Sequence, residues 1–388
     1  MKNWFRFSEW WNSKIASLMG LVYLFSISAG FDLVGSAWNI LFLVVWMFFA
    51  AAFGYYVNDL FDLEKDRLAN KRNFTANHSL LQKVLISVFL LGAIFLYWFL
   101  LSRDLIALVL IASQIVLFVL YSLPFPRLKE MPVVSLFCDS IYAYVIPGAM
   151  VYYCTLRPNT ISIVGVVYLA WLFVTGVRNI ISHHLDDFQN DTLSATQTSA
   201  IALGKIKMKR LMNYVISPME IALFIAFLIL MKQDIPYVSI GFLLYIIWVF
   251  NRELIFVQAN KHNWTLEQQD SYNFLGGVVL NEFYEKWFPL ICLLFYIHGS
   301  NLLLVFLIAH MLLFWANIID FKKDFLILKN LIFAQVFWTG VSAGYTVAGL
   351  IGKLLDFIFI GLIYYKVYGN IKHFIFWKIY IPLSGKNE

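Results

Sequence analysis

The sequence predicts an all-α protein, a polytopic bundle of membrane-crossing helices, on three observations. Of its 388 residues, 61% are hydrophobic and 13% charged, well below the roughly one-quarter charged residues of soluble domains. Apolar runs long enough to cross a hydrocarbon core of about 30 Å recur along the chain. None alternates with the two-residue period of an outer-membrane barrel strand. Inside lipid every backbone polar group must be bonded within its own segment, which such runs achieve as helices.

The runs predict twelve spans, near 14–35, 38–57, 81–101, 104–121, 133–152, 160–180, 212–231, 236–256, 286–298, 300–320, 330–350 and 354–370. Twelve crossings put both termini on one side, and lysine and arginine decide which side. One set of loops and ends carries 25 of the 29 Lys and Arg, leaving only Arg103, Arg157, Lys232 and Lys353 for the other. That bias predicts cytosolic termini. It also makes the net charge of +6 a consequence of topology; no nucleic-acid module is visible.

Two acidic runs close apolar segments on the cytosolic side. The first is Asn58-Asp59-Leu60-Phe61-Asp62-Leu63-Glu64-Lys65-Asp66. On a continuous helix Asn58, Asp59, Asp62 and Asp66 fall within an arc of roughly 100°. Carboxylates held so close repel unless a cation lies between them. Hard oxygen donors suit Mg²⁺, which binds through one or two carboxylates plus substrate phosphates. A solvated helix end is the alternative for one such run alone. The second run, His183-His184-Leu185-Asp186-Asp187-Phe188-Gln189-Asn190-Asp191, repeats the i, i+4 acid spacing with Asp187 and Asp191. Two facing acid pairs suit two metal ions around one diphosphate. Aligning Asp62 with Asp187 superposes Asp66 on Asp191 and hints at an internal duplication.

At these residues the chain resembles the UbiA superfamily of intramembrane prenyltransferases. Asn58 to Asp66 match its first motif, NDxxDxxxD, at every specified position; Asp187 and Asp191 match the second, DxxxD, with Thr198 and Gly204 where its downstream Thr and Gly lie. Tyr121-Ser122-Leu123-Pro124-Phe125-Pro126-Arg127-Leu128-Lys129 is similar to the family's YSxPPxRLK loop. Thr192 and Ala195 depart from the Arg and Gly that many members carry after the second motif. The resemblance covers roughly residues 10–300, which implies a core of about nine helices over 1–300 and additional helices over 301–388.

At the N-terminus, Lys2 and Arg6 precede polar residues without a cleavage pattern, so the first span is expected to remain as an anchor. Glu9-Trp10-Trp11-Asn12 reads as an interfacial aromatic belt. Arg67, Lys71 and Arg72 come after the first motif and either offset diphosphate charge or mark the cytosolic side. Pro124 and Pro126 prevent helix continuation and hold a short rigid loop; Arg127 and Lys129 can reach a phosphate from it. Asp139 is an intramembrane carboxylate, either a site residue or a helix-to-helix hydrogen-bond partner of Tyr142 or a nearby Ser. Arg178 and Asn179 approach the second motif. His183 and His184 lack a third nitrogen or sulfur ligand for zinc, and His183 is better placed to meet diphosphate or acceptor. Cys138, Cys154 and Cys292 are isolated and suggest no disulfide framework. Residues 257–285 read as a long cytosolic connection, or as a lid.

The resemblance implies a Mg²⁺-dependent transferase that moves a polyprenyl group from its diphosphate to an acceptor, most often an aromatic ring in quinone or related lipid biosynthesis. Asn58, Asp59, Asp62, Asp66, Asp187 and Asp191 are the expected metal ligands, and Asp62, Asp66, Asp187 and Asp191 the catalytic acids. Asn58, Arg67, Arg72, Tyr121, Lys129, Arg178 and His183 are the expected substrate-binding residues. Membrane lipids surround the chain, with the active site on the cytosolic face of a bacterial inner membrane. Rival readings are a terpene cyclase, transfer to a glycerol or sugar acceptor, or a secondary transporter. A transporter would place its polar residues near the midplane on broken helices.

Overall fold

Apolar runs become helices here because their polar neighbours supply the end groups. A computed structural model of the protein describes residues 6–30, 37–102, 104–158, 160–232, 235–260, 277–295 and 303–319. Helix α1 comprises Phe7–Trp10, a wide turn Trp11–Ile15 and Ala16–Ser28. α2 is Ala37–Phe61, α3 Leu63–Leu68, α4 Leu80–Leu100 and α5 Leu105–Ser122. α6 is Pro132–Leu156, α7 Ile163–Asp186, α8 Phe188–Leu193, α9 Ser199–Leu203 and α10 Lys205–Leu230. α11 is Pro236–Asn260; α12 runs through Gly277–Glu282, Phe283–Trp287 and Phe288–Phe295; α13 is Leu303–Leu313. No strand occurs among the described residues.

Six helices (α2, α4, α5, α6, α7 and α10) are long and apolar enough to cross a membrane. Caps fix where several begin. Ser79 and Gln82 form a reciprocal capping box at α4. The Asp104 carboxylate accepts from the Ile106 and Ala107 amides at α5, and the Ser162 hydroxyl accepts from Gly165 at α7. Pro132 opens α6, where its missing N–H is no loss. Gly204, at φ 83 and ψ 145, turns the chain into α10 through a conformation that essentially only glycine adopts.

The chain divides into two compact units, Met1–Tyr245 with Ser271–Ile318, and Ile246–Asp270 with Ile319–Glu388. Of the second, 246–260 and 319 are described. In the first unit α7 packs between α6 and α10, α5 bridges α2 and α6, and α1 lies against α2, α6 and α12. The α6–α7 approach is close because Gly176 has no side chain: a Cβ there would stand 2.8 Å from the Ser140 Cα. Small residues allow such helix contact within lipid, where hydrophobic driving force is weak. A buried aromatic cluster of Trp171, Phe224, Phe227, Phe283 and Tyr284 joins α7, α10 and α12, with Trp171 Nε1 donating to Tyr284 Oη at 3.2 Å. α4 buries little and exposes Leu81, Val88, Phe89 and Leu96, as a lipid-facing helix should.

Helices lie at the described parts of the first ten expected spans, and six of these helices are long and apolar enough to cross a membrane. The ninth starts earlier than expected: residues 277–285, read as part of a loop, are helical. Their polar side chains are compatible with a helix because Asn281 finds partners inside the bundle, on Arg178 and Asn179. The spans at 330–350 and 354–370, and loop residues 261–276, lie outside the described residues.

Candidate active site

α2 and α7 each stop one residue short of a motif acid. Asp62 (φ −99, ψ 5) separates α2 from α3, and Asp187 (φ −84, ψ 2) separates α7 from α8. The backbone after each then repeats. The amides of Asp66 and Asp191 donate to the carbonyls of Asp62 and Asp187 at 2.8 and 2.9 Å, and those of Lys71 and Thr196 donate to Asp66 and Asp191 at 2.7 and 2.9 Å. Asn70 and Ala195, at equivalent positions, are both left-handed, with φ 52 and φ 51. Asp66 Oδ2 accepts from Asn73 Nδ2 at 2.8 Å, and Asp191 Oδ2 accepts from Thr198 Oγ1 at 3.0 Å, again at equivalent positions. The duplication suggested by the acids extends through both downstream loops. It also explains why glycine suits the position of Ala195, since a left-handed backbone disfavours a Cβ.

Both motifs face one cavity of about 510 Å³ between α1, α2, α5, α6, α7 and α12. Asn58, Asp62, Asp66, Asp187 and Asp191 line it together with Tyr121, Lys129 and His183. Lys71 spans the halves, its Nζ donating to Asp187 Oδ2 at 2.8 Å. Asp62 is met by Lys129 and by Arg127, whose Nη2 donates to Asp62 Oδ1 at 2.8 Å. Lys129 also donates to Asn58 Oδ1 at 3.2 Å. Glu130 holds Lys65 and Arg127 in place.

These placements set the electrostatics. Burial pushes the Asp66 and Asp191 carboxyls above the usual carboxylate range, partly countered by their Asn73 and Thr198 hydrogen bonds. Burial also opposes ionisation of Asp187, but the Lys71 hydrogen bond and nearby His183 outweigh it and hold that carboxyl low. Burial lowers Lys129 below the usual ammonium range despite its Asp62 partner.

Other expected site residues lie elsewhere. Asp59 is 2% exposed and does not line the cavity; its carboxylate accepts from the Phe74 amide at 3.1 Å, tying down the loop after the motif. Its place as a metal ligand is therefore not supported by position. Arg67 and Arg72 are exposed, away from the cavity wall. The interruption at Asp62 redirects the chain, so a continuous-helix count misplaces the residues beyond it. Arg178 is fully buried, and its donors are used by Glu220, Asn179 and Asn281. Arg178 therefore does not reach the cavity where a diphosphate would lie, contrary to the expectation from sequence. Asp139 meets the Tyr142 hydroxyl, and both line the cavity with Gln114 and His184. Asn281 and Glu285, polar residues that the sequence places at the entry to the ninth span, also line the cavity; sequence reasoning missed Gln114, although a polar residue inside an apolar helix is a usable signal.

The donor set is chemically suited to a hard divalent cation shared with phosphate oxygens: one amide and four carboxylates, in two pairs, turned to one cavity. Among the described residues no three acids, histidines or cysteines gather closely enough to hold an ion by themselves. Phosphate oxygens would complete the coordination, and Lys71, Arg127 and Lys129 stand where they could pair with phosphate.

Comparison with known proteins gives one family and one fold. The UbiA prenyltransferase family matches residues 17–267. A UbiA homolog from Archaeoglobus fulgidus bound to GPP and Mg²⁺ is similar at 15% identity and TM-score 0.53, covering 75% of this chain and 96% of that one. The same homolog bound to DMAPP and Mg²⁺ gives 16% identity and TM-score 0.51, and without a named ligand 16% and 0.53, with the same coverages. No curated protein matches the chain.

Proposed function

Because the chain belongs to the UbiA prenyltransferase family, we propose that it is an integral membrane enzyme transferring a polyprenyl group from its diphosphate to an acceptor, with Mg²⁺ as cofactor. The observation that carries this reading is the convergence of Asp62, Asp66, Asp187 and Asp191 on one cavity. Similar archaeal structures hold GPP or DMAPP with Mg²⁺, which supports the same donor class here.

In this reading Asn58, Asp62 and Asp66 hold metal from one half, and Asp187 and Asp191 from the other. Mg²⁺, when bound, supplies positive charge to the diphosphate as it leaves. Lys71, Arg127 and Lys129 stabilise the same developing charge from fixed positions. Tyr121 and His183 face the substrate. The prenyl chain extends among apolar residues such as Phe118 and Met47, where little water reaches the allylic carbon. The acceptor attacks that carbon; an aromatic ring of quinone or related lipid biosynthesis is the proposed acceptor, and the cytosolic face of a bacterial inner membrane the proposed site. The acids stand at helix ends, which argues against a midplane transport site.

The test is incubation of the purified full chain in detergent with Mg²⁺, prenyl diphosphates of several lengths and candidate aromatic acids, with products read by mass spectrometry. A prenylated acceptor is expected. Product formed from the diphosphate alone would assign terpene cyclisation instead.

A further inference from the structure

α1, α6 and α12 each carry a wide turn at the cavity. Lys14 belongs to the turn Trp11–Ile15 of α1, Tyr142 and Tyr144 to the turn Ile141–Val145 of α6, and Glu285 to the turn Phe283–Trp287 of α12; all four side chains line the cavity. Such a turn closes i to i+5 in place of i to i+4, which opens backbone carbonyls to outside donors.

One side chain from beyond residue 300 joins the α1 and α12 turns. α13 breaks at Phe314 and the chain resumes as helix at Trp315. From this second stretch Asn317, 7% exposed, gives both of its amide hydrogens to backbone: Nδ2 donates to Asn12 O at 2.8 Å and to Glu285 O at 3.1 Å. An amide buried in an apolar run needs such partners. The break itself offers the Leu313 carbonyl, which accepts from Trp11 Nε1 at 2.7 Å, while Trp11 stacks on Phe314 with ring centroids 5.5 Å apart. A separate contact docks α13 farther along α1, where Tyr23 Oη and His310 Nδ1 are 3.3 Å apart, about two helical turns past the wide turn.

We infer that Asn317 is a positioning residue for the cavity wall: by tying the α1 turn to the α12 turn it fixes where Lys14 and Glu285 stand, with Trp11 as its second anchor. Lys14 Nζ lies over the rings of Tyr55 and Tyr144, 5.8 and 5.6 Å from their centroids, so displacement of the α1 turn also reaches the α2 and α6 sides of the cavity. The stretch after residue 300 lies outside the 17–267 that match the family, and through Asn317 it serves turnover. The kinetic consequence rests on the prenyl-transfer reading; the structural one is read without substrate.

The experiment compares the full chain in detergent with four variants. Asn317→Asp keeps the shape and loses both N–H donors, Asn317→Gln keeps the donors, Trp11→Phe loses the second anchor, and His310→Phe loses the separate docking contact. Hydrogen exchange read by mass spectrometry should be at least about tenfold faster over residues 11–16 and 283–288 in Asn317→Asp, and over 11–16 in Trp11→Phe, with the segments around Asp62 and Asp187 unchanged. His310→Phe should lower Tm without quickening either turn. Turnover of geranyl diphosphate with Mg²⁺ and the candidate aromatic acids is read as diphosphate released. In Asn317→Asp kcat should fall at least about tenfold while KM for geranyl diphosphate stays within about threefold, the pattern of a displaced wall beside intact motif acids. Asn317→Gln should stay within about threefold of wild type in both exchange and kcat. Wild-type exchange at the turns in Asn317→Asp, uniform quickening along the whole chain, or an equal loss of kcat in His310→Phe would overturn the inference. Should Asn317→Asp fail to fold, Trp11→Phe decides in its place: unchanged exchange over 11–16 would overturn the inference. If wild type releases no diphosphate, the prenyl-transfer reading fails, and exchange alone decides whether Asn317 holds the two turns.

Discussion

Lys71 Nζ donates to Asp187 Oδ2 at 2.8 Å, so a cation from the loop after the first motif rests on the leading acid of the second. The two halves of the cavity meet at this pair. Both side chains are partly exposed, at 34% and 24%, so solvent screening limits the pair to under about 1 kcal/mol of stability. Lys71→Met should therefore fold normally, with Tm changed by no more than a few degrees, while KM for prenyl diphosphate rises about tenfold. Unchanged kinetics would remove Lys71 from the site.

Ala195 carries a left-handed backbone at φ 51 where its counterpart Asn70 has a residue type that tolerates it. Ala195→Gly should relieve strain of about 1 kcal/mol and raise Tm in detergent by a few degrees. Gly204→Ala should do the reverse, because φ 83 with ψ 145 excludes a Cβ. Thermal scans of both variants check the pair.

The Arg178–Glu220 ion pair has no exposed surface on either side chain. Removing one partner strands a buried charge, so Glu220→Ala should cost about 3–5 kcal/mol. The double replacement Arg178→Met with Glu220→Leu should recover most of that loss. Denaturation of both variants checks the difference.

Burial holds the Asp66 and Asp191 carboxyls above the usual range. A raised folded-state pKa means that these two acids favour the metal-free fold when protonated, and that this contribution is lost as pH rises through their folded pKa values. Asp187, held low, has the opposite sign: its contribution is present above the unfolded value and lost as pH falls through the folded one. In the proposed site Mg²⁺ would need all three ionised. The Tm increase given by Mg²⁺ should thus be largest near neutral pH, shrink on acidification and vanish with chelator. An increase that grows toward acid pH would contradict the ligand assignment.

Much of the fold and of the site is legible in the sequence, and the remainder is hidden for identifiable reasons. The spans are readable because an apolar run long enough for lipid has few alternatives to a helix, and both motifs are readable because acids at i, i+4 repeat. Asp59 and Asp62 are the same residue type three positions apart, yet only Asp62 faces the cavity; Asp59 is claimed by the Phe74 amide of a loop whose path no local pattern gives. Nearness to the motif suggests Arg67 and Arg72 as site residues, but the break at Asp62 changes the course of the chain and leaves both exposed. Arg178 and Glu220 are partners across 42 positions, and no spacing rule reports such a pairing.

The most direct measurement is Mg²⁺-dependent geranyl diphosphate binding by Asp62→Asn, Asp187→Asn and the double variant. If the two motifs grip one diphosphate, each single replacement should weaken binding at least about tenfold, and the double should lose much less than the product of the two. Full binding in either single variant, or losses that multiply as for independent sites, would contradict a shared site.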